Sequence, residues 1–214
     1  MRSLTEDWSF MNRGPAVPTL IDVNIRSWQG LALASVAVLA GSLLVALSAQ
    51  IEIELRLSPV PITGQTFAVL LVGAAYGSRL GATTISAYLM EGAAGMPVFA
   101  GGSSGIAVLN GPTGGYLFGF VFAAFLVGYL AEHGWARNPH MTALAMLIGN
   151  IIIYTAGITR LQDFVGWEQT WEFGVRDFLP GDAIKILLAA GVLPGAWWLR
   201  LRLSHLVGQL PPPR

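Results

Sequence analysis

Five long stretches of this chain carry no charged residue, and that limits the possible folds more than any other feature. They cover residues 27–51, 57–78, 92–131, 138–159 and 186–199. A helix needs about 20 mainly apolar residues to cross the hydrocarbon core of a bilayer. Only 11 % of the 214 residues are charged, whereas soluble domains carry about 25 %. Too few polar side chains remain to cover a water-facing surface. The chain reads as an all-α membrane protein with one membrane domain and the lipid bilayer as its solvent.

Glycine, proline and serine divide these stretches into six expected transmembrane helices. Span 1 is placed at 30–47, span 2 at 62–76 and span 3 at 80–94. Span 4 is placed at 112–131, span 5 at 141–158 and span 6 at 182–199. Spans 2 and 3 are short for a perpendicular crossing, so they are expected to break or to run on into a loop. Three segments follow: a tail or surface segment at 1–28, a six-helix membrane domain at 29–200, and a tail at 201–214. Residues 1–26 mix charges of both signs and lack the apolar core of a signal peptide.

Basic residues set the orientation. With the N-terminus inside, eight arginines fall on the inner side and three on the outer side, leaving Lys185 within a span. Both termini are therefore expected to be cytoplasmic, in a multi-pass membrane protein. Trp197 and Trp198 fit an inner interface, and Trp167 and Trp171 an outer one. Residues 52–61, 97–111 and 160–180 become substantial outer loops, while the inner connections are short. Such a protein is expected to receive something from outside.

Several classes drop out. Net charge is zero, with no basic stripe, so no nucleic-acid partner is expected. There is no cysteine, which removes disulfide scaffolds, thiolate metal sites and cysteine catalysis. No metal-ligand cluster is evident, and no cofactor is expected. The string Gly102-Ser103-Ser104-Gly105 matches that of intramembrane serine proteases, but His133 and His140 fall on an inner loop and His205 beyond the last span. A Ser–Lys dyad with Lys185 is the least favoured alternative, because Asp182 on the same helix face would pair with the lysine. No Walker motif is present, so ATP would be bound only by partners, and no catalytic residue is assigned.

Lys185 is the only lysine. It follows Asp182 by three residues in Pro180-Gly181-Asp182-Ala183-Ile184-Lys185, which puts both side chains on one helix face. An ionisable group deep in a span costs roughly 2.5–3.5 kcal/mol on insertion scales. Pro180 suits the first helical position, so Lys185 sits near the positive end of the helix dipole, where a cation is disfavoured. An anionic ligand would relieve that misfit, and Asp182 can accept ligand N–H groups. The alternative is a self-neutralised pair with Lys185 reaching to the interface. Asn150 and Tyr154 share a face of span 5, Gln65 starts span 2 and Asn110 ends an outer loop. Glu91 reads as an interfacial charge.

The run Phe99-Ala100-Gly101-Gly102-Ser103-Ser104-Gly105 reads as a lid over a pocket, since it lacks the lysine and strand of a phosphate loop. Small residues recur every four at Gly111, Gly115, Gly119 and Ala123, and again at Gly191 and Gly195, which suits close helix packing. Ala37 and Gly41 form a smaller stripe on span 1. A terminal helix can offer such a face to another subunit, so these two are taken as a partner interface, with a homo-oligomer also open.

Four blocks resemble the BioY family. They are Pro59-Val60-Pro61-Ile62-Thr63-Gly64-Gln65-Thr66-Phe67-Ala68-Val69-Leu70-Leu71, Gly95-Met96-Pro97-Val98-Phe99-Ala100-Gly101-Gly102, Leu109-Asn110-Gly111-Pro112-Thr113-Gly114-Gly115-Tyr116 and Phe178-Leu179-Pro180-Gly181-Asp182-Ala183-Ile184-Lys185. They occur in the family's order and spacing. BioY proteins are the biotin-binding substrate (S) components of energy-coupling-factor (ECF) transporters. The resemblance implies the S-component fold, a pocket capped by outer loops, and a partner module of one membrane coupling protein plus two ABC-type ATPases. The family's Asp and Lys at the start of the last helix fall on Asp182 and Lys185. The family often has an apolar residue where this chain has Glu91, and the N-terminal tail is longer than the resemblance explains.

Read on biotin, Asp182 is expected to accept a ureido N–H, with Asn150 or Asn110 serving the ureido carbonyl or second N–H. Lys185 is expected to meet the carboxylate or to hold Asp182. Gln65 joins the polar set, and Phe99 and Tyr154 are expected to pack on the ring system. The alternatives are an S component for another small carboxylated vitamin and a stand-alone biotin transporter.

Overall fold

The computed structural model describes residues 19–21, 27–55 and 58–206. Most of the expected segment at 1–28 and residues 207–214 of the expected C-terminal tail lie outside the described residues. Six long helices occupy the six expected positions: α1 (Trp28–Ala49), α2 (Gln65–Tyr76), α3 (Ser78–Ala93), α5 (Gly114–Glu132), α6 (Pro139–Val165) and α8 (Leu179–Leu206). Two short helices were not expected, α4 (Ile106–Asn110) and α7 (Trp167–Gly174), and both lie in segments expected to be loops. A two-residue antiparallel hairpin, β1 (Glu52–Ile53) with β2 (Ile62–Thr63), also interrupts the all-helical expectation.

Local chemistry explains the boundaries. The Ser27 side chain accepts the Gly30 N–H at the start of α1, and Asn138 accepts the His140 N–H at the start of α6, followed by Pro139. Gly77 separates α2 from α3 at φ +84, a conformation that L side chains rarely adopt. Glu132, at the end of α5, accepts both the backbone N–H of Ser78 (2.7 Å) and its hydroxyl (2.9 Å). A carboxylate thus caps the positive end of α3 from another helix.

α2 has 12 residues, which spans about 18 Å at 1.5 Å per residue, well short of a 30 Å hydrocarbon core. The hairpin stands at its N-terminal end. Non-helical backbone at membrane depth is tolerated where it is buried in protein or lines a cavity. The short second span is therefore a helix whose missing length is given over to a site.

α5 is the central helix. A Cβ built on Gly119 would stand 3.1 Å from the Ile153 Cα of α6, and one on Gly73 of α2 would stand 2.6 Å from the Ala124 carbonyl of α5. Backbones approach there at distances only glycine permits. Gly115 packs the same way against Ala156 and Arg160. Gly191 and Gly195 differ: a Cβ on either would meet nothing within 4 Å. The stripe expected on span 6 packs against none of the described residues.

α1 also departs from expectation. Ala37 and Gly41 are buried, and a Cβ on Gly41 would stand 2.7 Å from Thr84 of α3 and 2.9 Å from Tyr76. The small stripe assigned to a partner subunit is covered by this chain's own helices, because small residues let α1 settle against α3. Ser42 donates to Glu91, joining the same two helices. The opposite face of α1 exposes Leu33, Val36, Leu39, Leu43 and Leu47, as a lipid-facing side does. Four segments are long and apolar enough to cross a membrane: α1, α5, α6 and the stretch containing α8.

Candidate functional site

A cavity of about 460 Å³ opens beside the hairpin. Its size falls in the usual range for small-molecule sites, roughly 300–1,000 Å³. Each wall comes from a different element. Glu52 and Glu54 come from the hairpin segment, and Thr63, Gln65 and Thr66 from the junction of β2 with α2. Phe99 to Gly101 and Ser103 come from the glycine-rich segment, and Tyr116 and Phe120 from α5. Tyr154 of α6, Phe178 and Lys185 of α8 complete it. Lys185 is the only cation among its described lining residues.

The lysine is fully engaged. Its ammonium donates to Asp182 Oδ1 at 2.8 Å, to Thr66 Oγ1 at 2.9 Å and to the Thr63 carbonyl at 2.9 Å. Three donors meet three acceptors. Asp182 is 4 % exposed and stands behind Lys185, off the cavity wall. Its second oxygen accepts the Tyr154 hydroxyl. The pair is therefore a junction of α6, α8 and the start of α2, with Lys185 and Tyr154 presented to the cavity and Asp182 holding both. A buried ion pair of this kind repays its desolvation only when every remaining donor and acceptor is satisfied.

The aromatic wall is equally fixed. Phe99 is 1 % exposed, and its ring fills the space a side chain at Gly92 would need. It meets Tyr88 edge to face, with ring centroids 5.5 Å apart. The Tyr116 hydroxyl donates to the Gly174 carbonyl at 2.9 Å, tying α5 to α7.

The structure thus brings Lys185, Tyr154, Gln65 and Phe99 together around one cavity, with Asp182 behind them. It does not bring two other candidates there. Asn110 is exposed at the end of α4, and its backbone carbonyl accepts from Arg160. It is not among the described residues that line the cavity. Asn150 is buried, but it borders a separate void of about 10 Å³ shared with Thr66 and Lys185, and its Oδ1 has no partner. It lies one helical turn before Tyr154, deeper in the membrane domain than the cavity wall. The Ser103 hydroxyl donates to the Ala100 carbonyl at 2.7 Å, and the Lys185 ammonium is held by Asp182.

Sequence reading missed Glu52, Glu54, Thr63, Thr66, Tyr116 and Phe178. Thr63 and Thr66 lay inside a quoted block beside Gln65, and the spacing of Thr63 with the outer start of span 2 was the available signal. Nothing local marked the glutamates, because their role depends on the hairpin.

Comparison with known proteins gives a consistent result. A family model described as the BioY family matches residues 22–202. A protein of Rhizobium etli named biotin transporter BioY is 38 % identical over 160 residues, covering 71 % of this chain and 86 % of that one. One of Thermotoga maritima with the same name is 38 % identical over 139 residues, covering 64 % and 81 %. A solved structure, titled as the S-component for biotin from an ECF-type ABC transporter, superposes with a TM-score of 0.72 at 25 % identity. It covers 82 % of this chain and 94 % of its own.

Proposed function

This chain belongs to the BioY family, and from that premise we propose how its cavity captures biotin. The protein serves biotin uptake as the substrate-binding component of an ECF transporter. One observation carries the reading of the site: a cavity of about 460 Å³ has one cation among its described lining residues, locked in place by a buried carboxylate.

Biotin presents acceptors in its ureido carbonyl and carboxylate, donors in two ureido N–H groups, and an apolar bicycle with a flexible tail. Lys185 supplies the charged donor for an acceptor of the ligand, exchanging its bond to the neutral Thr66 hydroxyl for that contact. Gln65, Thr66, Tyr154, Glu52 and Glu54 supply oxygen acceptors for its N–H groups. Phe99, Tyr116, Phe120 and Phe178 cover the bicycle. Asp182 acts through Lys185 and Tyr154, contrary to a direct contact with the ureido. A site built to satisfy polar ligand groups rejects analogues that lack them, because its own buried groups are then left unpaired.

The cavity side faces out of the cell, with both termini in the cytoplasm. Release of the bound ligand into the cytoplasm is driven by partners: a membrane coupling protein and two ABC-type ATPases. With Ala37 and Gly41 covered, the exposed apolar face of α1 is what remains for a partner on that helix.

Uptake of labelled biotin in cells with and without the coupling protein and ATPases tests this reading. Uptake that requires both, and that excess thiamine leaves unchanged, supports it. Full uptake without them makes this chain a transporter on its own. Competition by thiamine as strong as by unlabelled biotin contradicts the substrate.

A further inference from the structure

Tyr88 of α3 lines no part of the cavity, yet it touches two residues that do. Its side chain is fully buried. The Gln65 amide Nε2 donates to its hydroxyl at 2.6 Å, and that hydroxyl donates to the Val98 carbonyl at 3.0 Å. Its ring packs edge to face on Phe99. Gln65 in turn accepts the Thr63 hydroxyl at 3.0 Å, and the Thr63 carbonyl accepts from Lys185 at 2.9 Å. One unbroken chain of contacts therefore runs from the cavity's cation to the glycine-rich segment 97–105.

Other ties also hold that segment: at its far end the Gly105 N–H donates to the Gly92 carbonyl of α3 at 2.7 Å. Gln50, just after α1, donates to the Phe99 carbonyl and accepts the Gly102 N–H, both at 3.1 Å. Gly101, Gly102 and Gly105 take positive φ, so this stretch of backbone has little intrinsic preference for its shape. Its inner anchor is the Tyr88–Phe99–Val98 contact. Buried polar groups in such a network depend on one another, since each left unpaired costs its full desolvation.

The geometry points to Tyr88 as a positioning residue that couples occupancy of the cavity to closure of segment 97–105. A ligand that engages Lys185 or Gln65 tightens the Gln65–Tyr88 bond and holds Val98 and Phe99 in place. Conversely, loss of the Tyr88 hydroxyl loosens the inner part of the segment, around Val98, while leaving every cavity-lining side chain present. This inference rests on biotin capture in the cavity.

The test is Tyr88→Phe, which keeps the ring and removes the hydroxyl. Biotin dissociation is followed by stopped flow on detergent-purified protein, and amide hydrogen exchange is followed with and without biotin. Leaving the Gln65 amide and the Val98 carbonyl unpaired is expected to speed dissociation roughly tenfold, with association nearly unchanged. Biotin is expected to protect amides in 97–105 of the wild type, and this protection is lost in the variant while α3 and α5 stay protected. A purely structural role would lower the fraction of binding-competent protein without changing the dissociation rate. An unchanged rate with protection retained overturns the inference. If the variant does not fold, the wild type still decides: biotin binding without protection of 97–105 overturns the coupling. Absence of biotin binding to folded wild type overturns the capture reading itself, and the coupling with it.

Discussion

Lys185 Nζ lies 2.8 Å from Asp182 Oδ1, three residues back along α8, and the two side chains are 19 % and 5 % exposed. The carboxylate is the more deeply buried of the two, and it also holds Tyr154. Removing it leaves a lysine charge with only neutral partners, Thr66 and the Thr63 carbonyl. Breaking a buried pair on one side costs about 3–5 kcal/mol. Asp182→Ala should therefore lower the thermal midpoint in detergent by the low end of that range, given the partial exposure of Lys185. Asp182→Asn, which keeps an acceptor for Tyr154, should fall between it and wild type. Equal midpoints for all three would show that the pair does not hold the helices.

The Tyr154 hydroxyl tests the positioning role more gently. Tyr154→Phe keeps the ring on the cavity wall and removes one hydrogen bond to a charged group. Such bonds contribute about 1.5–3 kcal/mol to the folded protein, and the hydroxyl is also a proposed acceptor for a ligand N–H, a neutral bond of about 0.5–1.5 kcal/mol, so biotin affinity should drop roughly two- to tenfold. Calorimetric titration of the variant checks this. Wild-type affinity would place the hydroxyl outside the binding network.

The glycines separate packing from mere small size. Gly115→Ala would press its methyl group into Ala156 and Arg160 across the α5–α6 contact, an overpacking that typically costs about 1–3 kcal/mol. Gly191→Ala and Gly195→Ala meet open space and should leave the midpoint unchanged or raise it, since alanine is the better helix former. Thermal unfolding of the three single variants distinguishes these expectations. A large loss for Gly191→Ala would show that another subunit or lipid covers that face.

Much of this architecture was legible in the sequence because lipid imposes a coarse rule: long uncharged runs must be helices. That rule, with glycine, proline and serine as dividers, placed the starts of all six long helices within three residues, while α6 and α8 run seven residues beyond their expected ends. The i,i+3 spacing of Asp182 and Lys185 was enough to bring them onto one face, and the cost of burying them singled the pair out. What stayed hidden was non-local. Glu52 and Glu54 reach the cavity only because a two-residue hairpin forms. Asn110, at the end of α4, is not among its described lining residues. Ala37 and Gly41 looked like a free interface, but whether a small stripe faces a partner or its own chain depends on which way α1 rolls against α3. The 3.6-residue period of a helix identifies a face without saying what covers it.

The central claim is that Lys185, held by Asp182, is the polar anchor of a biotin site. Calorimetric titration of biotin into folded wild type and folded Lys185→Met tests it most directly. The account predicts one saturable site in the wild type and at least a hundredfold loss in the variant, from losing a charged hydrogen bond and leaving Asp182 without its counter-ion. Binding by Lys185→Met within a fewfold of wild type would contradict it.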